Sequence, residues 1–248
     1  MKFKEIYNII NNILRLEGYP VGISMLSYEP NNIDKIKKHT YWCRMFAKAR
    51  EGETFYFTDK EQACPGATSY LGLAEEPADH KKGESRYFLE RLKKNQLQTS
   101  QSLTQTVTWK TRTAALRTRR LNSRIPLGAV EAIAMSPLPQ CDQTRLPVDV
   151  VLLTVTPEQG MKLIKAILWH RGGHCWGHTA GASCSLGVAY PYLTGNLNYF
   201  LADGGFRQFS ALEPDKLLIG MPGEMLNAQT VENLQDVAAV ADKYGMWP

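Results

Sequence analysis

Apolar residues recur at three- and four-residue steps near the start of the chain, at Phe3, Ile6, Tyr7, Ile10, Ile13 and Leu14. That period lines them along one side of an α-helix, which Gly18 is expected to close. Pro20 leads into residues 21–26, a short strand pattern. Residues 41–50 read as a helix carrying Cys43, with Gly52 closing it. The aromatic and β-branched stretch 54–58 reads as a strand. Strands are also predicted at 130–135 and 148–155, the second so apolar that it should be central and buried. Thr156, Pro157 and Gln159 then form a helix start in which Thr caps, Pro takes the first helical position and Gln completes a capping box. Met161, Ile164, Ile167 and Leu168 supply that helix's buried stripe. Residues 198–202 and 216–221 read as strands. A last helix places Val231, Leu234, Val237, Ala238, Ala241 and Tyr244 on one side. With no repeat and no clean linker, the pattern predicts a single α+β domain over residues 1–248, a mixed β-sheet packed with helices.

The polar pattern changes between Asp79 and Arg124, where twelve Lys or Arg accompany only three Asp or Glu, although the whole chain carries a net charge of +5. The rest of the chain is therefore net negative. Two helices are expected in this basic segment, around 86–97 and 111–121, separated by a Gln/Ser/Thr-rich loop at 98–108. Such a segment is most simply a solvated helical face. Its functional reading is an accessory or binding module, with Lys93, Lys94, Arg112, Arg117, Arg119 and Arg120 meeting an acidic protein or nucleic acid. Nucleic acid is the weaker of these partners, because Trp109 is the sole aromatic between Leu89 and Leu121 and cannot by itself build a stacking platform.

Hydrophobic content of 44% and charged content of 21% suit a soluble globular protein. No apolar run is long enough to span a bilayer, so the expectation is a cytoplasmic protein without a membrane partner. Five cysteines separated by 21, 77, 34 and 9 positions do not form a small disulfide scaffold. In a reducing compartment they are free thiols, metal ligands or catalytic groups. No Gly-x-Gly-x-x-Gly or Walker-type loop is present, which argues against the common nucleotide enzymes.

The richest local chemistry lies in residues 170–184, which hold His170, His174, Cys175, His178 and Cys184 among small residues. Imidazole and thiolate are the donors that suit transition metals and iron–sulfur clusters. The spacings His170-x3-His174 and Cys175-x2-His178 fit a zinc site only loosely, since a second cysteine pair is missing. Cys64 stands in Ala-Cys-Pro-Gly-Ala, where Pro65 fixes a turn and Gly66 lets amides approach the sulfur, a setting that favours thiolate. A plain turn is the alternative. Cys43 has Arg44, Lys48 and Arg50 nearby, which would lower its pKa; the alternative is a small core residue beside Met45 and Phe46. Cys184 is flanked by small residues, as a cluster ligand needs. Asp203-Gly-Gly-Phe-Arg207 offers a carboxylate, a turn and a cation at a strand end.

The string from Cys43 to Phe57, with Gln62-Ala-Cys64-Pro-Gly66 and Leu71-Gly-Leu73, resembles the uncharacterised ArCR family of archaea and bacteria. The resemblance continues through 130–138, 148–159, 203–207 and 216–222, nearly the whole chain. Its distinctive pieces are the Cys-Pro-Gly turn, the Pro-Glu-Gln helix start and the Asp/Gly/Arg turn. The family's name states no activity, so the resemblance implies a single domain and little else. Residues 98–108 and the run 174–178 depart from its pattern, which favours Cys43, Cys64 and Cys184 over Cys175 and Cys141.

The resulting expectation is an iron–sulfur or metal-binding protein. Cys43, Cys64 and Cys184 would each hold one iron of a [4Fe–4S] cluster. The fourth iron would be open, or held by Asp203, Cys175, His174 or His178. Arg207 would pair with a small anionic substrate. Zinc, or no cofactor, is the alternative.

Overall fold

A computed structural model describes residues 1–82 and 112–245. At its centre is a six-stranded sheet built from β1 (Val21–Leu26), β2 (Phe55–Phe57), β3 (Ala132–Pro137), β4 (Val150–Val155), β5 (Asn198–Phe200) and β6 (Leu217–Pro222). The strand order is β2-β3-β1-β4-β6-β5. The sheet expected to be mixed is antiparallel in every pairing of these strands. Among the described residues, parallel pairing is confined to the isolated bridges Lys35–Tyr56 and Thr40–Gln62.

Alternation along the strands sends side chains to two different cores. On β4, Val150 and Leu152 join one core, whereas Val151, Leu153 and Val155 join the other. Burial on both faces explains why this strand carries no polar face in the sequence. The second core is covered by α1 (Phe3–Leu14) and two further helices, α7 (Pro157–Leu168) and α10 (Ala228–Tyr244), with the short α6 (Cys141–Thr144) and α8 (Tyr190–Thr194) between them in the chain. Three shorter elements cover the first core: α2 (Trp42–Arg50), α3 (Pro65–Tyr70) and a π-helical turn at Ser185–Ala189. Helices on both faces of one antiparallel sheet make this the expected α+β class.

Local signals set the boundaries. The α7 start forms as expected: the Thr156 hydroxyl accepts from the Gln159 amide at 3.2 Å, and the Gln159 carboxamide accepts from the Thr156 amide at 2.8 Å. By contrast, α1 stops before Gly18, because Arg15 already turns left-handed at φ 53°. Of the two helices expected in the basic segment, the one around 86–97 and the loop 98–108 lie outside the described residues. The other is α5 (Arg112–Leu121), preceded in the chain by the short α4 (Ala78–Lys81). Among the described residues no helix is long and apolar enough to cross a membrane.

Candidate functional site

Cys43, Cys64 and Cys184 pack against the same core, on the α2/α3 face of the sheet. Each is delivered by a different element. Cys43 lies in the first turn of α2, Cys64 is the residue that caps α3, and Cys184 opens the π-helical turn. The three are close enough that ionised Cys64 or Cys184 would raise the cost of ionising Cys43. Asp203 stands beside all of them and acts on each in the same sense.

Gln62 joins the first two. Its buried carboxamide oxygen accepts both the Trp42 amide that opens α2 and the Cys64 amide, each at 3.0 Å. One side chain therefore fixes the helix of Cys43 against the loop of Cys64. The Cys64 sulfur in turn accepts from the Ala67 amide at 3.5 Å. A Cβ at residue 66 would sit 3.8 Å from that sulfur, an ordinary contact distance.

Cys184 is brought in by a glycine contact between the π-helical turn and the sheet. A Cβ at Gly220 on β6 would lie 2.2 Å from the Gly187 carbonyl oxygen, so only glycine lets the turn seat on the strand this closely. π-Helical turns of this kind recur at functional sites. Asp203 then anchors the segment before Cys184. Its carboxylate accepts the Ser183 amide at 2.8 Å and the Ser183 hydroxyl at 2.6 Å through Oδ2. Its other oxygen accepts the Phe206 amide at 2.8 Å, capping α9 (Gly204–Phe209). Packing of Phe206 on Phe46, with centroids 5.3 Å apart, carries this anchor to α2.

Burial is the dominant electrostatic influence. It pushes the Cys43 and Cys184 thiols well above the ordinary thiol range, with Asp203 and the neighbouring cysteines adding to the effect. Cys64 is also raised by burial, against the opposing pull of the Ala67 and Gly66 amides. The expected lowering of Cys43 by nearby cations is overturned. Arg44 lies over the Phe209 ring, Lys48 pairs with Glu53, and Arg50 pairs with Glu213. All three cations are engaged elsewhere.

Other expected ligands fall elsewhere or are already occupied. Cys175 packs against the second core, whereas the cysteine trio lies against the first. His174 is exposed and edge-on to Trp176, and the exposed His178 ring stands edge-on to Tyr190. The His178 backbone is held by Asn198 at 2.7 Å. Exposed His170 lies 3.2 Å from the Gln229 carboxamide nitrogen. Among the described residues no group of three or more His, Cys, Asp or Glu side chains is spaced to hold a single metal ion. The Arg207 guanidinium donates to the backbone carbonyls of Leu201, Glu213 and Lys216. Cys141 is buried in the second core, and burial pushes its thiol up to about 12.

Sequence reasoning missed the wall formed by Tyr70 and Asn122. The Asn122 carboxamide donates to the Tyr70 hydroxyl at 3.1 Å, and the Arg124 guanidinium lies 4.7 Å from the Tyr70 ring centroid. Arg124 and Arg119 both bind the buried Glu76 carboxylate. The basic segment thus commits Arg119 to an internal ion pair, while Arg117 and Arg120 are exposed and Lys93 and Lys94 lie outside the described residues. A tyrosine and an asparagine fifty-two residues apart carry no spacing signal that would have linked them.

The chain is similar to known proteins over most of its length. The family described as Uncharacterised ArCR matches residues 9–232. The chain belongs to this family. It is also 23% identical over 210 residues to an uncharacterised protein of Methanocaldococcus jannaschii, covering 83% of this chain and 80% of that relative. No solved structure matches the chain.

Proposed function

We propose that this family member is an iron–sulfur protein whose Cys43, Cys64 and Cys184 hold a [4Fe–4S] cluster on the α2/α3 face of the sheet. The observation that carries the reading is the convergence of three thiols, 21 and 120 positions apart, from three elements into one buried neighbourhood.

The donor set fits this group better than it fits zinc. Thiolates are the usual ligands of iron–sulfur clusters, and a cluster spans more space than one ion, so it suits thiols that do not converge on a point. Bound there, the cluster would supply electron transfer and, at an iron without a cysteine, a Lewis-acidic position for a small ligand. The chain's own residues do the rest. Gln62 fixes two of the ligand segments, the Gly66 and Ala67 amides hold the Cys64 thiolate, and Asp203 positions the third segment through Ser183. In this reading Asp203 serves as a positioning residue, its two oxygens holding Ser183 and the Phe206 amide.

The test is anaerobic reconstitution with iron and sulfide, followed by visible absorption before and after dithionite. A broad visible band that bleaches on reduction supports the proposal. A colourless protein after reconstitution contradicts it.

A further inference from the structure

Helix α2 ends on Arg50, beside the loop that leads into β1 and the chain that follows α9. Glu17, Gly18, Tyr19, Arg50, Glu51 and Glu213 are among the residues that line a cleft of about 330 Å³ there. That volume lies at the small end of the range for small-molecule sites. On its wall, the Arg50 guanidinium donates through Nη2 to Glu213 Oε1 at 3.0 Å and to the Glu17 carbonyl at 2.7 Å. A guanidinium and a carboxylate frequently close a two-pronged fork. This pair makes one prong only. Arg50 Nε and Glu213 Oε2 are buried, and neither has a hydrogen-bond partner among the described residues.

Buried donors and acceptors are paired in native proteins, because an unpaired one gives up its hydration for nothing. The two open atoms are of opposite kinds, a donor on a cation and an acceptor on an anion. A carboxylate and an ammonium on one molecule satisfy both together. Gly18 keeps the approach to Nε clear. A Cβ at that position, where φ is 83°, would lie 2.8 Å from both Nε and Cγ of Arg50. Charge narrows the ligand further. Glu17, Glu51 and Glu213 bring three carboxylates to the cleft, against Arg50 and the Lys216 ammonium, which pairs with Glu17 at 3.2 Å. The cleft thus has one carboxylate more than it has cations, and Glu51 is exposed.

We propose that this cleft binds a free α-amino acid with a cationic side chain. Its α-carboxylate accepts from Arg50 Nε, its α-ammonium donates to Glu213 Oε2, and its side-chain cation meets Glu51. The two α groups sit on neighbouring carbons, so one molecule can take both open ends of a single ion pair. No cysteine lines the cleft, and the proposal stands apart from the cluster reading.

Isothermal titration calorimetry of the full chain with L-lysine and with L-arginine tests it. At least one should bind with a dissociation constant below about 1 mM. Nα-acetyl-L-lysine lacks the ammonium, cadaverine lacks the carboxylate and L-norleucine lacks the side-chain cation. Each of these, or the matching analogue of arginine, should bind at least about ten-fold more weakly than its parent. Glu213→Gln should weaken the parent amino acid by about the same factor. Glu51→Gln, a change at an exposed position, should remove most of the preference over L-norleucine. Should Glu213→Gln fail to fold, Glu51→Gln and the analogues still decide. The proposal is overturned if neither amino acid binds at about 10 mM, or if neither variant weakens binding. Equal binding of cadaverine and L-lysine also overturns it, since that marks a cleft that takes any small cation.

Discussion

Asp203 and Ser183 hold each other through a closed set of contacts: the Asp203 carboxylate accepts from the Ser183 amide and hydroxyl, and the Asp203 amide donates to the same hydroxyl at 3.0 Å. The residue after Ser183 is Cys184. Strand β5 and the cysteine segment are thus locked immediately beside the site. Asp203→Ala leaves the Ser183 and Phe206 amides without their acceptor and should cost about 2–3 kcal/mol. Urea unfolding measures this. A loss under 0.5 kcal/mol contradicts the anchoring role.

Ionisation of the buried thiols is disfavoured in the folded protein, so the unfolded chain gives up these protons first. Below the ordinary thiol pKa of about 8.5 the stabilisation is complete, and it is lost as pH rises above that value. Cys141 keeps contributing to the decline up to about 12, and Cys43 and Cys184 contribute in the same sense. Cofactor-free protein should therefore show a urea midpoint that falls steadily above pH 9. Cys141→Ala should flatten part of that fall, at a cost of about 1 kcal/mol at neutral pH. A midpoint independent of pH from 8 to 10.5 contradicts the assigned burial.

Glu76 behaves in the opposite sense. Arg119 and Arg124 hold its carboxylate down at about 2, although burial opposes them. Its contribution is present above the ordinary carboxylate range and is lost as pH falls toward 2. Glu76→Gln should cost about 2 kcal/mol at pH 7 and far less at pH 2. Paired melts of wild type and variant at the two values read the difference. Equal losses at both values contradict the ion-pair account.

Much of this fold is legible in the chain because its elements carry local signals. The period of α1 and the capping box of Thr156 and Gln159 need no tertiary information. Cys-Pro-Gly at 64–66 likewise identifies a turn whose sulfur accepts amides, as it does. What the chain hides is which face each segment serves. Cys175 and Cys184 are nine residues apart, yet they pack against opposite sides of the sheet, and no spacing rule distinguishes them. Arg207 looks like a free cation beside a turn because its three carbonyl partners are backbone groups, which every residue has. Cations near Cys43 in sequence fail to lower its pKa because a helix points consecutive residues in different directions.

The Gly187–Gly220 contact should be as unforgiving as its geometry. Gly220→Ala places a methyl group against backbone, which cannot rotate away, and should cost about 3 kcal/mol. It should also displace the π-helical turn and reduce bound iron. Full stability in Gly220→Ala, measured by thermal melting, contradicts the close packing of the turn on β6.

The central claim is that Cys43, Cys64 and Cys184 form one site, and the number of irons and sulfides bound per chain tests it most directly. Anaerobically reconstituted wild type should be compared with Cys43→Ala, Cys64→Ala, Cys184→Ala and each pair combined, with Cys141→Ala as the control. A cluster bridges all three ligands, so any single loss should remove most of the iron and sulfide and a second should add little. Cys141→Ala should retain the wild-type content. Small, equal and additive losses at all four positions would contradict a shared site.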